Sequence, residues 1–214
     1  MKKYIVLFVL FILPIVAYLF FASGVNGFTT LPTIVESVPE FGEWKTREGE
    51  KVELAGSITV LGFGGHDVLD NRGNLFNLNQ KIYQRYHQFK DLQFVILCPI
   101  GTEDKVKYIE DQFKTFTDMS DWKFVYAPAS EIAAYHQSLG VKGKLNADLG
   151  TPQIYLIDKN LKLRGRTGDE YKESYNTFHP SELSNEMLDD LKILLFEYRA
   201  ALKRNNNASK RLGE

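Results

Sequence analysis

The residues of this chain that could perform chemistry are concentrated in two places. A glycine-rich stretch, residues 63–70, carries the adjacent pair His66 and Asp67. The single cysteine, Cys98, lies elsewhere, at the end of an apolar run. Since a disulfide or a dithiolate metal site within one chain needs two thiols, the sequence excludes both kinds of site.

His66 and Asp67 could bind a metal ion, because imidazole is a common ligand and a carboxylate can act as ligand or orienter. Adjacent residues rarely face one metal together, however, and a third ligand is needed. The other histidines, His87, His136 and His179, lie in different predicted elements. The sequence therefore favours a solvated loop histidine over a metal site, with His66 and Asp67 as the weak candidates.

The glycines around this pair, Gly64 and Gly65 among them, match neither phosphate-binding pattern, Gly-x-x-x-x-Gly-Lys-Ser/Thr or Gly-x-Gly-x-x-Gly. They instead indicate an unusual backbone path. Cys98 is predicted to be a packed, unreactive thiol. The alternative for Cys98 is a mixed disulfide with a partner, which requires exposure and a lowered pKa.

The composition is that of a globular protein, with 44% hydrophobic and 25% charged residues. A net charge of -1 provides no basic field for nucleic acid, so no nucleic-acid partner is expected. Cysteine usage does not identify the compartment.

The N-terminus has the pattern of a membrane anchor. Residues 1–3 contain Lys2 and Lys3, and residues 4–22 carry no charge. A helix of that length spans roughly 28 Å, close to the thickness of a bilayer core. The positive-inside rule leaves the N-terminus in the cytoplasm and the domain outside it, in the periplasm of a bacterium. A cleaved signal peptide is the alternative, although its apolar region is usually only about 7–15 residues long.

Patterning divides the remainder into one domain, residues 41–199, between a linker at 23–40 and a disordered tail at 200–214. Apolar runs predict core strands at 57–63, 92–97 and 122–126, and helical spacing predicts helices at 77–90, 103–116, 130–139 and 181–199. Hairpins are predicted at 43–55 and at 153–167. The alternation indicates parallel strands with helical crossovers, followed by an antiparallel hairpin. This α/β arrangement, a mixed sheet flanked by helices, resembles the thioredoxin-like fold.

Several segments together resemble the Sco/SenC family of thioredoxin-fold proteins. They are Leu31-Pro32, residues 39–41, the strand at 94–97, the step at 120–124 into the third strand, the hairpin start at 155–158 and the helix segment 189–194. The resemblance implies a membrane-anchored, outward-facing protein. Sco proteins bind copper through a Cys-x-x-x-Cys loop after the first core strand and a histidine before the hairpin, and they serve the copper site of cytochrome oxidase.

This chain departs from the Sco pattern at every ligand. Residues 64–71 contain no cysteine, and residues 148–152 contain no histidine. Thr151-Pro152 is instead similar to the threonine and cis-proline that thioredoxins place opposite their active-site loop. The resemblance makes a cis bond there an open alternative to the usual trans bond. It also implies a binding face of Gly64, Gly65, His66, Asp67, Thr151 and Pro152 that could hold an extended peptide.

The expected function is therefore non-enzymatic, as a binding or assembly factor in cytochrome oxidase biogenesis with no cofactor and an unknown protein partner. Three alternatives remain open. The chain could be a metallochaperone using His66 or Asp67, a thiol-dependent enzyme using Cys98 alone, or a remnant with only structural value.

Overall fold

The computed structural model describes residue 8, residues 10–16 and residues 30–212 of the chain. Residues 10–16 are helical. Among the described residues, no helix combines the length and the apolar character needed to cross a membrane. Residues 1–3, most of the predicted anchor at 4–22 and residues 23–29 of the predicted linker lie outside the described part.

The domain is built on a seven-stranded mixed sheet with the order β1-β6-β5-β2-β3-β4, and β7 pairs with β5. The strands are β1 (Thr33–Val35), β2 (Ile58–Gly64), β3 (Leu92–Pro99), β4 (Trp122–Ala127), β5 (Gly150–Ile157), β6 (Leu163–Arg164) and β7 (Tyr175–Asn176). β2, β3 and β4 are parallel, whereas β5 runs antiparallel to β2.

Helices connect and cover these strands. They are α1 (Arg72–Leu78), α2 (Gln84–Tyr86), α3 (Glu103–Phe113), α4 (Ala129–Ser138), α5 (Pro180–Glu182) and α6 (Leu188–Leu212). A π-helical turn, Asn79–Tyr83, joins α1 to α2, and another, Leu183–Met187, joins α5 to α6.

The sheet separates two apolar cores. Every residue of β2 is buried, as expected for a strand covered by helices on both faces. One core packs α1, α3 and α6 against the sheet, and the other packs α4 and residues 38–54 against the opposite face. The structure thus confirms the predicted mixed α/β sheet flanked by helices.

The main differences between the predicted and observed boundaries concern β1, the start of α1 and the end of α6. Residues 33–35 of the predicted linker form β1, because Leu31 and Val38 anchor this stretch by burying their side chains. The helix predicted to begin at residue 77 begins at Arg72, before its apolar stripe becomes regular. The predicted disordered tail is helical through Leu212, in keeping with its alanine, lysine and arginine residues, which favour helices.

Ion pairs join β6 to α6 inside the domain. Arg164, 5% exposed, donates to Asp158 Oδ2 at 2.7 Å and to Glu197 Oε2 at 2.8 Å. Arg164 also donates from Nε to the Leu31 carbonyl at 2.9 Å, which fixes the start of the described domain against α6. Asp190 likewise accepts from Arg166 Nε at 2.7 Å and from Tyr175 Oη at 2.6 Å.

Candidate binding face at the carboxyl end of β2

The loop at residues 64–71 leaves the sheet where β2 ends, beside the first residues of β5. Gly65 has φ +72°, and a Cβ there would lie 2.6 Å from the Gly150 nitrogen. The His66 N–H donates to the Asp148 carbonyl at 2.8 Å. Only glycine therefore allows both the backbone conformation and the close approach of the two segments.

The segment facing this loop is held by its own side chains. The Asn146 Oδ1 accepts from the Asp148 N–H at 3.0 Å and from the Gly150 N–H at 2.8 Å. Leu149 has φ +63°, a strained value for a residue with a side chain. The Asn71 Nδ2 donates back to the Gly64 carbonyl at 3.2 Å. Both walls of the site are thus fixed by backbone-directed hydrogen bonds.

Thr151, which is buried, and the half-buried Pro152 lie beside the end of β2, with Thr151 paired to Phe63. Their peptide bond is trans, which decides between the two alternatives that the sequence leaves open. Both residues belong to β5, and the trans bond continues its extended path.

Sequence reasoning missed an aromatic side chain at this face. The Pro152 carbonyl accepts from the Thr177 N–H at 2.9 Å and from Thr177 Oγ1 at 2.8 Å. The next residue, Phe178, is 68% exposed. The sequence signal that could have identified Phe178 is its position as an aromatic residue in a polar loop shortly before Pro180. We call residues 64–71, Thr151, Pro152 and residues 177–178 the loop face.

His66 and Asp67 are exposed, and both are contacted by a lysine side chain. Lys105 Nζ donates to the His66 carbonyl at 2.8 Å and to Asp67 Oδ1 at 3.1 Å. Among the described residues, no group of three or more His, Cys, Asp and Glu side chains is arranged to hold a metal ion. A Sco-type copper ion therefore does not fit the donors present at this loop.

Cys98 lies beneath the loop and has no exposed surface. A Cβ on Gly64 would come within 2.9 Å of its Sγ, so the missing side chain of Gly64 makes room for the thiol. Burial raises the pKa of the Cys98 thiol far above its ordinary value. A thiol that stays protonated and enclosed is a poor nucleophile.

His136 is also close to this end of the sheet, but it belongs to the core. Its ring packs on Phe63 with centroids 5.0 Å apart, and its Nε2 lies 3.3 Å from the Tyr155 hydroxyl. Burial lowers the pKa of His136, against a weaker opposing effect of the Glu173 carboxylate. The Glu173 carboxylate in turn accepts the backbone N–H groups of Lys142 and Gly143, both at 2.8 Å. The cluster braces the chain that leads to Gly150.

The loop face thus presents an exposed imidazole, an exposed aromatic ring and backbone groups held in fixed positions. Among the described residues it brings together neither an accessible thiol nor a set of metal donors.

No known family model matches the sequence, and no curated protein matches it. Solved structures do match. A candidate protein disulfide isomerase from Bacteroides thetaiotaomicron is similar with a TM-score of 0.55 at 16% identity, over 81% of this chain and 98% of that one. A candidate electron transport protein from Aquifex aeolicus has a TM-score of 0.53 at 14% identity, over 77% and 98% of the two chains.

BsSco is also similar, and it is described as a member of the Sco family of cytochrome c oxidase assembly proteins. Its TM-score is 0.52 at 13% identity, over 74% of this chain and 99% of that one. At these identities the likeness establishes the fold alone. The chain has a thioredoxin-like fold.

Proposed function

We propose that this chain is a membrane-anchored, extracytoplasmic protein of the Sco-like type that acts without redox or copper ligands. In this proposal it is a non-catalytic binding or assembly factor in cytochrome oxidase biogenesis. One observation carries the proposal: the loop after β2 keeps a fixed, exposed face, while the only thiol lies beneath it with no exposed surface.

The groups at the loop do not favour thiol or metal catalysis. Dithiol exchange needs two thiols, and the chain has one. A single-cysteine mechanism needs an accessible thiolate, whereas the pKa of Cys98 is raised by burial. Asp67, a weak candidate for metal binding, is held by Lys105 at 3.1 Å. Recognition through the loop face is the remaining use of this site.

The oxidase context is supported by two likenesses of different kind. The order and spacing of the sequence segments between Leu31 and residue 194 resemble the Sco/SenC family. The fold is shared with BsSco, whose described family assembles cytochrome c oxidase. The proposed partner is accordingly a component of respiratory assembly.

The proposed location comes from the sequence of the N-terminal segment. Residues 4–22 carry no charge and follow Lys2 and Lys3, so the positive-inside rule favours a single span with the domain outside the cytoplasm. Confinement to the membrane would raise the effective concentration of the loop face toward membrane-bound partners.

Deletion of the gene followed by complementation tests the proposal. We expect the deletion to lower cytochrome oxidase activity and the wild-type chain to restore it. Cys98→Ala should restore it as well, because the thiol has no role. Phe178→Asp should fail, because it places a charge on the loop face. Tyr108→Ala, which removes a ring 49% exposed on α3, is the matched control.

Protein levels measured by immunoblot separate loss of function from loss of folding. Normal oxidase activity in the deletion strain would contradict the oxidase context. Failure of a normally accumulated Cys98→Ala variant would replace the binding role with a thiol-dependent one.

A further inference from the structure

A second surface lies at the opposite end of the sheet from the loop face. A groove of about 490 Å³ opens beside Ile58, the first residue of β2. Its walls include Phe89 and Tyr198, and its basic residues are Lys90, Lys159 and Arg199, against the single acidic residue Asp91. Lys159 Nζ donates to Asp91 Oδ2 at 2.5 Å, which leaves the net charge of the groove positive.

Basic side chains continue along α6 next to the groove. A smaller adjoining pocket is lined by Phe89, Lys192, Phe196 and Arg199. Lys90, Lys192 and Arg199 are exposed, and no ion pair is formed by them among residues 30–201, where side chains are described. Positions 192, 196 and 199 are neighbours on one side of a helix. The surface is therefore a cluster of unpaired cations around aromatic rings.

The aromatic content makes this surface unlike an ordinary solvated lysine patch. Phe196 is 52% exposed between Lys192 and Arg199. Amphipathic surfaces that combine basic side chains with exposed aromatic rings suit the boundary between phospholipid headgroups and acyl chains. We call Phe89, Lys90, Lys192, Phe196 and Arg199 the basic aromatic surface.

The path of the chain places this surface close to the predicted anchor. The Leu31 carbonyl accepts from Arg164, which donates to Glu197 Oε2 at 2.8 Å, one residue before Tyr198 of the groove. The described domain therefore begins beside α6. From residue 22 to Leu31 an extended chain reaches at most about 30 Å. A span at residues 4–22 would hold this end of the domain near the bilayer.

We propose that the basic aromatic surface docks on anionic phospholipid headgroups of the bilayer that holds residues 4–22. This inference rests on the anchoring part of the proposed function and is independent of the oxidase context. Docking would turn the loop face, at the far end of β2, away from the membrane and toward the extracytoplasmic part of a partner. Each basic side chain near an anionic surface strengthens binding about fivefold.

Amide hydrogen exchange of the full chain in lipid nanodiscs tests the proposal. One set of discs contains phosphatidylcholine alone, and the other contains equal amounts of phosphatidylcholine and phosphatidylglycerol. We expect residues 86–91 and 192–199 to exchange at least about fivefold more slowly in the anionic discs. High salt should remove the difference, because it screens exposed charges.

Two matched variants separate the surface from net charge. Lys90→Glu/Lys192→Glu/Arg199→Glu should abolish the slower exchange. Lys45→Glu/Lys114→Glu/Lys144→Glu carries the same change in charge on other exposed lysines and should behave as the wild type. Near-ultraviolet circular dichroism of both variants reports whether the domain remains folded. If the triple variant of the surface unfolds, Phe196→Ser in the anionic discs provides the same test with one neutral change.

Equal exchange rates in the two kinds of disc would overturn the proposal. Exchange that is slowed to the same extent with and without phosphatidylglycerol would point to a protein contact or a purely apolar contact instead. A full chain that does not stay in the discs at high salt would overturn it together with the anchor. None of these outcomes depends on oxidase activity, so the oxidase context stands or falls separately.

Discussion

The carboxyl end of β2 and the β6–α6 region use polar groups in opposite ways. At β6 and α6, charged groups are paired and largely buried: Arg164 with Asp158, and the half-buried Arg166 with Asp190. At the end of β2, His66 and Asp67 are exposed, and the buried residues of the loop, Gly64, Gly65 and Val68, carry no charge. The ion pairs of the β6–α6 region therefore stabilise the domain.

Because of this difference, buried charge alone does not identify a functional site in this fold. Clusters of buried ionisable groups are often candidates for function, although structural ion pairs produce the same signature. In this chain the buried ions satisfy one another and tie Leu31 and α6 to the sheet. The loop face is recognised instead by strained backbone, close glycine contacts and an exposed ring.

The largest expected effect comes from breaking the buried pair. Arg164→Met leaves Asp158, 1% exposed, without its cation and should lower the free energy of unfolding by about 3–5 kcal/mol. Denaturant unfolding measures it. Lys51→Met, which breaks the exposed pair with Glu43, should leave stability unchanged. A loss below about 1 kcal/mol for Arg164→Met would remove the structural role assigned to this region.

The close contact at the carboxyl end of β2 is tested by substituting Gly65. Gly65→Ala should cost about 3 kcal/mol, because the added methyl meets the Gly150 backbone in addition to the strain of a positive φ. Gly56→Ala is the matched control, with φ +82° and no atom within 4 Å of the new methyl. It should cost only about 1–2 kcal/mol. Equal losses measured by denaturant unfolding would mean that the two walls of the loop face do not need their close contact.

Alkaline pH tests the buried thiol. Because the pKa of Cys98 is raised in the folded state, the folded protein keeps a proton that the unfolded chain loses above about pH 9. Stability should be fully present below that pH and fall by up to about 1.4 kcal/mol per pH unit above it. Buried tyrosines such as Tyr135, whose pKa values are also raised, should steepen the fall above about pH 10.

Cys98→Ala should remove the part of this slope that begins near pH 9, measured by denaturant unfolding across the pH series. A slope that persists unchanged in Cys98→Ala would show that other groups cause it. Reaction of Cys98 with iodoacetamide in the folded wild type would contradict its enclosure.

The smallest expected effect on stability comes from substituting Lys105, which contacts the loop. Lys105→Ala removes a half-exposed ion pair and should lower stability by less than about 1 kcal/mol. It should nevertheless speed hydrogen exchange at residues 65–70, because the His66 carbonyl loses its partner. Lys107→Ala, which breaks an exposed pair on the same helix, should leave that loop unchanged. A loop that is equally protected in both variants would remove Lys105 from the site.

Much of the architecture follows from the sequence because the core strands are short apolar runs between helical stripes. The pattern at residues 57–63 and 92–97 matches β2 and β3 closely. It could not reveal β1, since three residues among glycines and prolines become a strand only by pairing with β6. The sequence pattern also could not predict the π-helical turn at Asn79–Tyr83, because Leu78, Ile82 and Tyr86 satisfy a regular helical spacing.

For the candidate site, the family resemblance predicted that Thr151-Pro152 lies opposite the loop but did not predict the contacts between them. The roles of Lys105 and Phe178 arise from segments far apart in the chain, joined through the His66 and Pro152 carbonyls. Such contacts depend on the tertiary fold and leave no local pattern. The trans peptide bond before Pro152 likewise depends on the tertiary fold, because Thr151 and Pro152 both belong to strand β5.

Metal retention tests the proposal that this loop recognises a partner and does not hold a metal ion. The full chain, purified in detergent, is titrated with Cu(I), Cu(II) and Zn(II) and dialysed, and the bound metal is counted, with His66→Ala as the paired variant. We expect no tightly held ion at stoichiometric level and no difference between the two proteins. One ion per chain that is lost in His66→Ala would contradict it and make the protein a metallochaperone.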